Sequence, residues 1–124
     1  MKPRSAKSKG RRPVAELRAA ILKAFPMLEE DDIQMVPTSV GGADLKLSPA
    51  ARRCWPLDTE VKNQEHLSIW QAIKQAEANS KHFPPAVAFR RNRHPLWVAV
   101  SVETMLHLLQ ANYAMGQAEE RAKK

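Results

Sequence analysis

The stretch LDTEVKNQEHLSIWQAIKQA, residues 57–76, changes its hydrophobic period halfway along. Leu57 to Lys62 reads as a strand, in which residues i and i+2 share a face, so Glu60 and Lys62 project together while Val61 points into the core. Beyond it, Ile69, Trp70, Ile73 and Ala76 recur at three- and four-residue spacing. That period predicts a helix over Leu67–Ala78, with Ser68 as N-cap and Pro84-Pro85 as the stop.

Outward from this unit, the chain repeats the two patterns. Upstream, Val14, Leu17, Ile21, Phe25 and Leu28 predict a helix over Pro13–Phe25, since Pro suits a first helical turn. Ile33 to Val36 is a short apolar run closed by Pro37, and after Gly41-Gly42 the alternation Asp44-Leu45-Lys46-Leu47 fits a strand. Pro49 and Pro56 bracket a stretch expected to be irregular, holding Arg52, Arg53 and Trp55. Downstream, Ala86–Phe89 and Leu96–Val100 read as a hairpin across a polar connection. A last helix over Val102–Met115 is expected to turn Met105, Leu106, Leu109 and Tyr113 inward. No internal repeat is evident, and residues 116–124 read as a polar tail. The order α-β-β-β-α-β-β-α predicts an α/β fold with a mixed central sheet flanked by helices.

A chain of 124 residues has room for one core, here over residues 13–115. No apolar stretch is long enough to span a bilayer and no secretory leader is apparent, so a cytoplasmic location without membrane contact is expected. Cys54 is alone, and His66, His82, His94 and His107 show no zinc-ligand spacing, which excludes a disulfide scaffold and a structural zinc fold.

Charge points to the partner. The net charge is +7, from 20 Lys and Arg against 13 Asp and Glu. Residues 1–12 carry only positive charge among Gly, Ser and Pro and read as a disordered basic arm, including Lys9, Arg11 and Arg12. Further clusters are Arg52 with Arg53, and Arg90, Arg91 and Arg93. Any one could be a solvated face, but together they favour a polyanion, because neutralising phosphates releases counterions.

The candidate chemistry lies in Asp44, Glu60 and Lys62. If the strand bearing Asp44 lies beside the strand bearing Glu60, two carboxylates and an ammonium converge at a strand end. Hard oxygen ligands of that kind suit Mg²⁺ or Mn²⁺, which take one or two carboxylates and complete their shell with water and substrate phosphate. The acid-x-Lys triplet alone means little, since Asp44-Leu45-Lys46 has the same form. Plainer readings exist for each residue: Asp44 as a turn acid, Glu60 with Lys62 as an exposed ion pair, Glu16 as a helix-surface carboxylate and Gln75 as a surface glutamine.

Over residues 9–109 the order of elements resembles the PD-(D/E)XK nuclease superfamily, and within it the Holliday junction resolvases of archaea and their phage-encoded relatives. Ser39-Val40-Gly41-Gly42-Ala43-Asp44-Leu45 resembles that family's Ser- and Gly-rich loop entering its metal-binding Asp. Thr59-Glu60-Val61-Lys62 resembles its acid-x-Lys strand, and Gln75 stands where the family has a helical Gln. The stretches Lys62-Asn63-Gln64 and Ile69-Trp70-Gln71-Ala72 are most like the phage members. The family's first-strand arginine has no counterpart at Met35 or Val36.

The resemblance implies metal binding by Asp44, Glu60 and the Val61 backbone carbonyl, catalysis assisted by Lys62, and Glu16 and Gln75 as further site residues. It implies a Mg²⁺- or Mn²⁺-dependent endonuclease that makes paired nicks in four-way DNA junctions as a homodimer. The expected DNA contacts are Lys9, Arg11, Arg12, Ser39, Gly41, Gly42, Arg52, Arg53, Arg90, Arg91 and Arg93. Two other readings stay open: a non-catalytic DNA- or RNA-binding protein, and a nuclease for flaps or other branched replication intermediates.

Overall fold

The computed structural model describes residues 6–37 and 42–123, by backbone alone as far as Arg12. Helix α1 (Ala6–Ala24) is followed by a 3₁₀ turn (Glu30–Asp32), strands β1 (Ile33–Met35) and β2 (Leu45–Leu47), helix α2 (Pro49–Cys54), strand β3 (Asp58–Asn63), helix α3 (Ile69–Asn79), strands β4 (Pro85–Arg90) and β5 (Trp97–Ala99), and helix α4 (Val102–Ala122). The α/β class and the order expected from the sequence hold, with α2 as an addition.

The strands form two sheets instead of one. Strand β1 pairs antiparallel with β2. Strand β3 pairs parallel with β4, which pairs antiparallel with β5 as the expected hairpin. The two sheets meet at Asp44, whose N–H donates to the Thr59 carbonyl and whose own carbonyl accepts from the Val36 N–H. A single residue therefore hinges β1-β2 onto the edge of β3.

Both faces of the β3-β4 pair are covered, which follows from the period of two. Val61 and Ala88, paired in register, turn toward α1 and join Val14, Leu17, Ile21 and Ile33 in the main core. Val87, register partner of Glu60, faces the other way, onto Ala72 and Ala76 of α3. Ile33 is fully buried beneath α1. Ile33→Ala is expected to cost about 2–5 kcal/mol, the range for a large aliphatic side chain removed from a packed core, measurable as a lowered urea midpoint at unchanged m-value.

Four expectations are corrected here. Helix α1 begins at Ala6, so residues 6–12 are helical and not a disordered arm; Ala, Lys and Arg are strong helix formers, and Pro13 lies within the helix with its side chain buried. The bracketed stretch is helix α2, because Pro49 occupies a first-turn position where no N–H is needed, and the Ser48 hydroxyl caps it by accepting from the Ala51 N–H. Helix α4 continues through the expected polar tail to Ala122. Its residues Met105, Leu106, Leu109 and Tyr113 are exposed, because α1 and α3 already occupy the two sheet faces. Among the described residues, no helix is long and apolar enough to cross a membrane.

Candidate active site

Strand β3 supplies two of the candidate groups. Glu60 and Lys62 emerge on the α3 side, with Lys62 Nζ 4.0 Å from Glu60 Oε2. Glu60 is only 4% exposed, so the pair is not the solvent-exposed ion pair of the plainer reading. Buried acids are held by partners, and Glu60 has one: Asn79 Nδ2, in the last turn of α3, donates to Glu60 Oε1 at 2.6 Å.

Asp44 arrives from the other sheet. Its Oδ2 accepts from the Val61 N–H at 2.6 Å, which fixes the carboxylate against β3 between the positions of Glu60 and Lys62. The turn-acid reading does not describe this residue, which caps no turn of its own but locks to a strand 17 positions later. Gly42, two residues before it, has φ +104°, a conformation that L side chains rarely adopt. A Cβ there would meet nothing within 4 Å, so the backbone angle, not close packing, requires glycine.

Burial sets the electrostatics. Desolvation pushes the Asp44 carboxyl above the ordinary carboxylate range, opposed by the Val61 N–H and the Lys62 charge. Desolvation also raises Glu60, opposed by the Asn79 hydrogen bond, with the Asp44 charge adding to the rise and Lys62 countering it. The effect of the Asp44 charge on Glu60, and of Lys62 on both acids, links the three groups electrostatically. A cleft of about 370 Å³ opens beside it, lined by Gly42, Lys46, Arg52, Asn79, Lys81 and His82 among others.

The structure separates the remaining candidates. Glu16 is on the α1 face of the sheet, opposite Glu60, and forms an ion pair with Arg90. It does not join the cluster, and among the described residues no group of three His, Cys, Asp or Glu side chains converges as a metal site. Gln75 is exposed and lies one turn before Asn79 on the same helix face. Asn79, which the sequence reading missed, is the α3 residue that hydrogen-bonds Glu60. Its only sequence signal is the four-residue spacing from Gln75.

Of the expected DNA contacts, Arg90 is tied to Glu16, with its side chain 18% exposed. Arg52 donates from Nε to the Leu47 carbonyl and stacks its guanidinium 4.9 Å from the Phe83 ring centroid, at the edge of the cleft. Arg53 and Arg91 are exposed, and Arg93 sits exposed in the β4-β5 connection with φ 65°. Ser39, Gly41 and the side chains of Lys9, Arg11 and Arg12 lie outside the described residues.

The donor set fits a small hard cation. Each carboxylate has one oxygen fixed by a neutral N–H donor, so Asp44 Oδ1 and Glu60 Oε2, the latter 4.0 Å from Lys62 Nζ, are the oxygens that could take a cation. Mg²⁺ commonly takes one or two carboxylates and fills its octahedron with water and phosphate oxygen, so a third acid is not required. No protein-family model matches the chain, and neither does any curated protein or solved structure compared with it.

Proposed function

We propose that this protein is a divalent-metal-dependent endonuclease for branched DNA, with four-way junctions as its substrate. The observation that carries the reading is the convergence of Asp44, Glu60 and Lys62 through the Asp44–Val61 and Glu60–Asn79 hydrogen bonds and the Lys62–Glu60 pair. Resemblance to the junction resolvases supplies the choice of substrate, and the net charge of +7 supplies the affinity for phosphate.

Asp44 and Glu60 would hold Mg²⁺ or Mn²⁺. Bound there, the cation would polarise the scissile phosphate and lower the pKa of water, as metal-assisted hydrolysis requires. Lys62 carries a fixed positive charge beside Glu60 and is placed to stabilise negative charge developing on the phosphoryl oxygens. The Val61 N–H and Asn79 orient the two carboxylates, so no reorganisation is needed when substrate arrives. Lys46, Arg52 and Lys81, which line the cleft, would hold the phosphate chain on that side. A junction has two equivalent strands to nick, so a two-fold homodimer with one site per copy fits the task. With DNA as the substrate, the location would be the cytoplasm expected from the sequence, with the host's DNA if the protein is phage-encoded.

Asn79 is a positioning residue in this scheme. Asn79→Ala is expected to lower cleavage about 10- to 100-fold, the usual effect of removing a hydrogen bond behind a metal ligand. The acidic limb of the pH–rate profile should also move to higher pH, because Glu60 loses a partner that lowers its pKa. Reduced activity with an unmoved profile would make Asn79 a packing residue only.

The reading is tested by comparing labelled four-way junction, flap, linear duplex and single strand at equal salt and Mg²⁺. Selective, symmetric nicking of the junction supports it. Faster flap cleavage would reassign the substrate, and tight binding without cleavage of any substrate would favour a non-catalytic binding protein.

A further inference from the structure

Helix α4 has one face turned to the body and one turned away. Thr104 is buried and Leu108, one turn later, half-buried. On the opposite side Val102, Met105, Leu106, Leu109 and Tyr113 form a stripe about 100° wide at 3.6 residues per turn, and their exposures run from 44% to 76%. From Leu109 to Lys123 every residue is exposed, and among the described residues no element covers this half of the helix. A helical segment of that length is marginal in water without a packed face.

We propose that this stripe is the two-fold interface of a homodimer, covered by α4 of a second copy running antiparallel. Three observations select that occupant. First, setting Tyr113 of one copy against Leu109 of the other brings Leu106 over Gly116, where a Cβ would meet nothing within 4 Å in the chain itself. Second, Glu103 and Arg121 lie on one flank of the helix, eighteen residues or five turns apart. Antiparallel pairing in the same register brings Arg121 of each copy within a turn of Glu103 of the other, twice by symmetry. It also places Glu119 and Glu120 near the N-terminus of the facing helix, where negative charge is favourable. Third, five large apolar side chains at roughly 100 Å² each, with their polar flanks, approach the ~800 Å² per partner of a standard interface.

The inference rests on α4 alone, and it would supply the pairing of sites that the proposed junction cleavage calls for. Its test reads mass and not cleavage, so failure of one is distinguishable from failure of the other. Sedimentation of the full chain at micromolar concentration is expected to give twice the 14.0 kDa chain mass. Leu109→Glu and Gly116→Lys should each weaken dimerisation about 30-fold or more, the size of a hot-spot loss. Gly116→Lys is the sharper variant, because it adds a good helix former at an open position and so leaves the folded monomer intact. Glu103→Arg and Arg121→Glu should each weaken the dimer, and the double exchange should restore it. A wild type that stays monomeric, or a dimer indifferent to Leu109→Glu and Gly116→Lys, would overturn the proposal; the first result would assign the stripe to a different protein.

Discussion

Lys62→Ala is expected to lower the rate of junction cleavage about 10²- to 10³-fold, the usual effect of removing one group that stabilises developing charge, while junction binding in Ca²⁺ changes little. The side chain is 22% exposed and its ammonium lies 4.0 Å from Glu60 Oε2, so it faces the acids and is not part of the outer basic surface. Its removal also takes away a charge that lowers both acid pKa values, which pushes Asp44 and Glu60 further toward the protonated form. The loss should therefore be largest at low pH. Lys62→Arg keeps the charge on a longer, planar head and is expected to recover only part of the rate. Cleavage by Lys62→Ala within tenfold of wild type would remove the residue from the chemistry.

The second large effect concerns stability and has the opposite sign. Burial raises the carboxyls of Asp44 and Glu60 above their ordinary range. A group with a raised folded-state pKa keeps its proton longer in the folded chain, so the folded state binds more protons between the two pKa values and stability falls as pH rises through that window. Above the window the cost is complete; below the unfolded carboxylate pKa it is absent. Asp44→Asn and Glu60→Gln retain an acceptor for the Val61 N–H and for Asn79, respectively, and remove the charge. Both variants are expected to be inactive and more stable than wild type at neutral pH, with the gain shrinking to nothing in acid. Urea unfolding across the pH range measures this. A gain that does not vary with pH, or a loss at neutral pH, would mean that the carboxylates are not held at electrostatic cost. Divalent cation should stabilise wild type and not these variants, since binding to the folded state alone adds to stability.

Much of the site is readable from residue pattern, because a strand's period of two is local information. Glu60 and Lys62 on one side and Val61 on the other follow from β3 alone, and the structure keeps that division. Asp44 is different: its convergence depends on backbone hydrogen bonds to Val36 and Thr59 that join two sheets, and no spacing encodes them. Glu16 shows the limit from the helix side. Its place on α1 is legible, but the phase of α1 against the sheet turns it to Arg90 on the far face. Pro49 looks like punctuation in the sequence but starts α2, since proline both ends and opens helices. In α4 the amphipathic pattern correctly marks an apolar face, but periodicity cannot say whether this chain or another molecule covers it.

The proposed metal-dependent nuclease centre consists of Asp44, Glu60 and Lys62. It is tested most directly by incubating the wild-type protein with an immobile, end-labelled four-way junction in Mg²⁺, in Mn²⁺ and in EDTA, and mapping the products on both strands. Paired nicks at symmetric positions in either metal, absent in EDTA and absent with Asp44→Asn and Glu60→Gln, are the predicted result. A folded wild type that binds the junction and leaves every strand intact in both metals would contradict it.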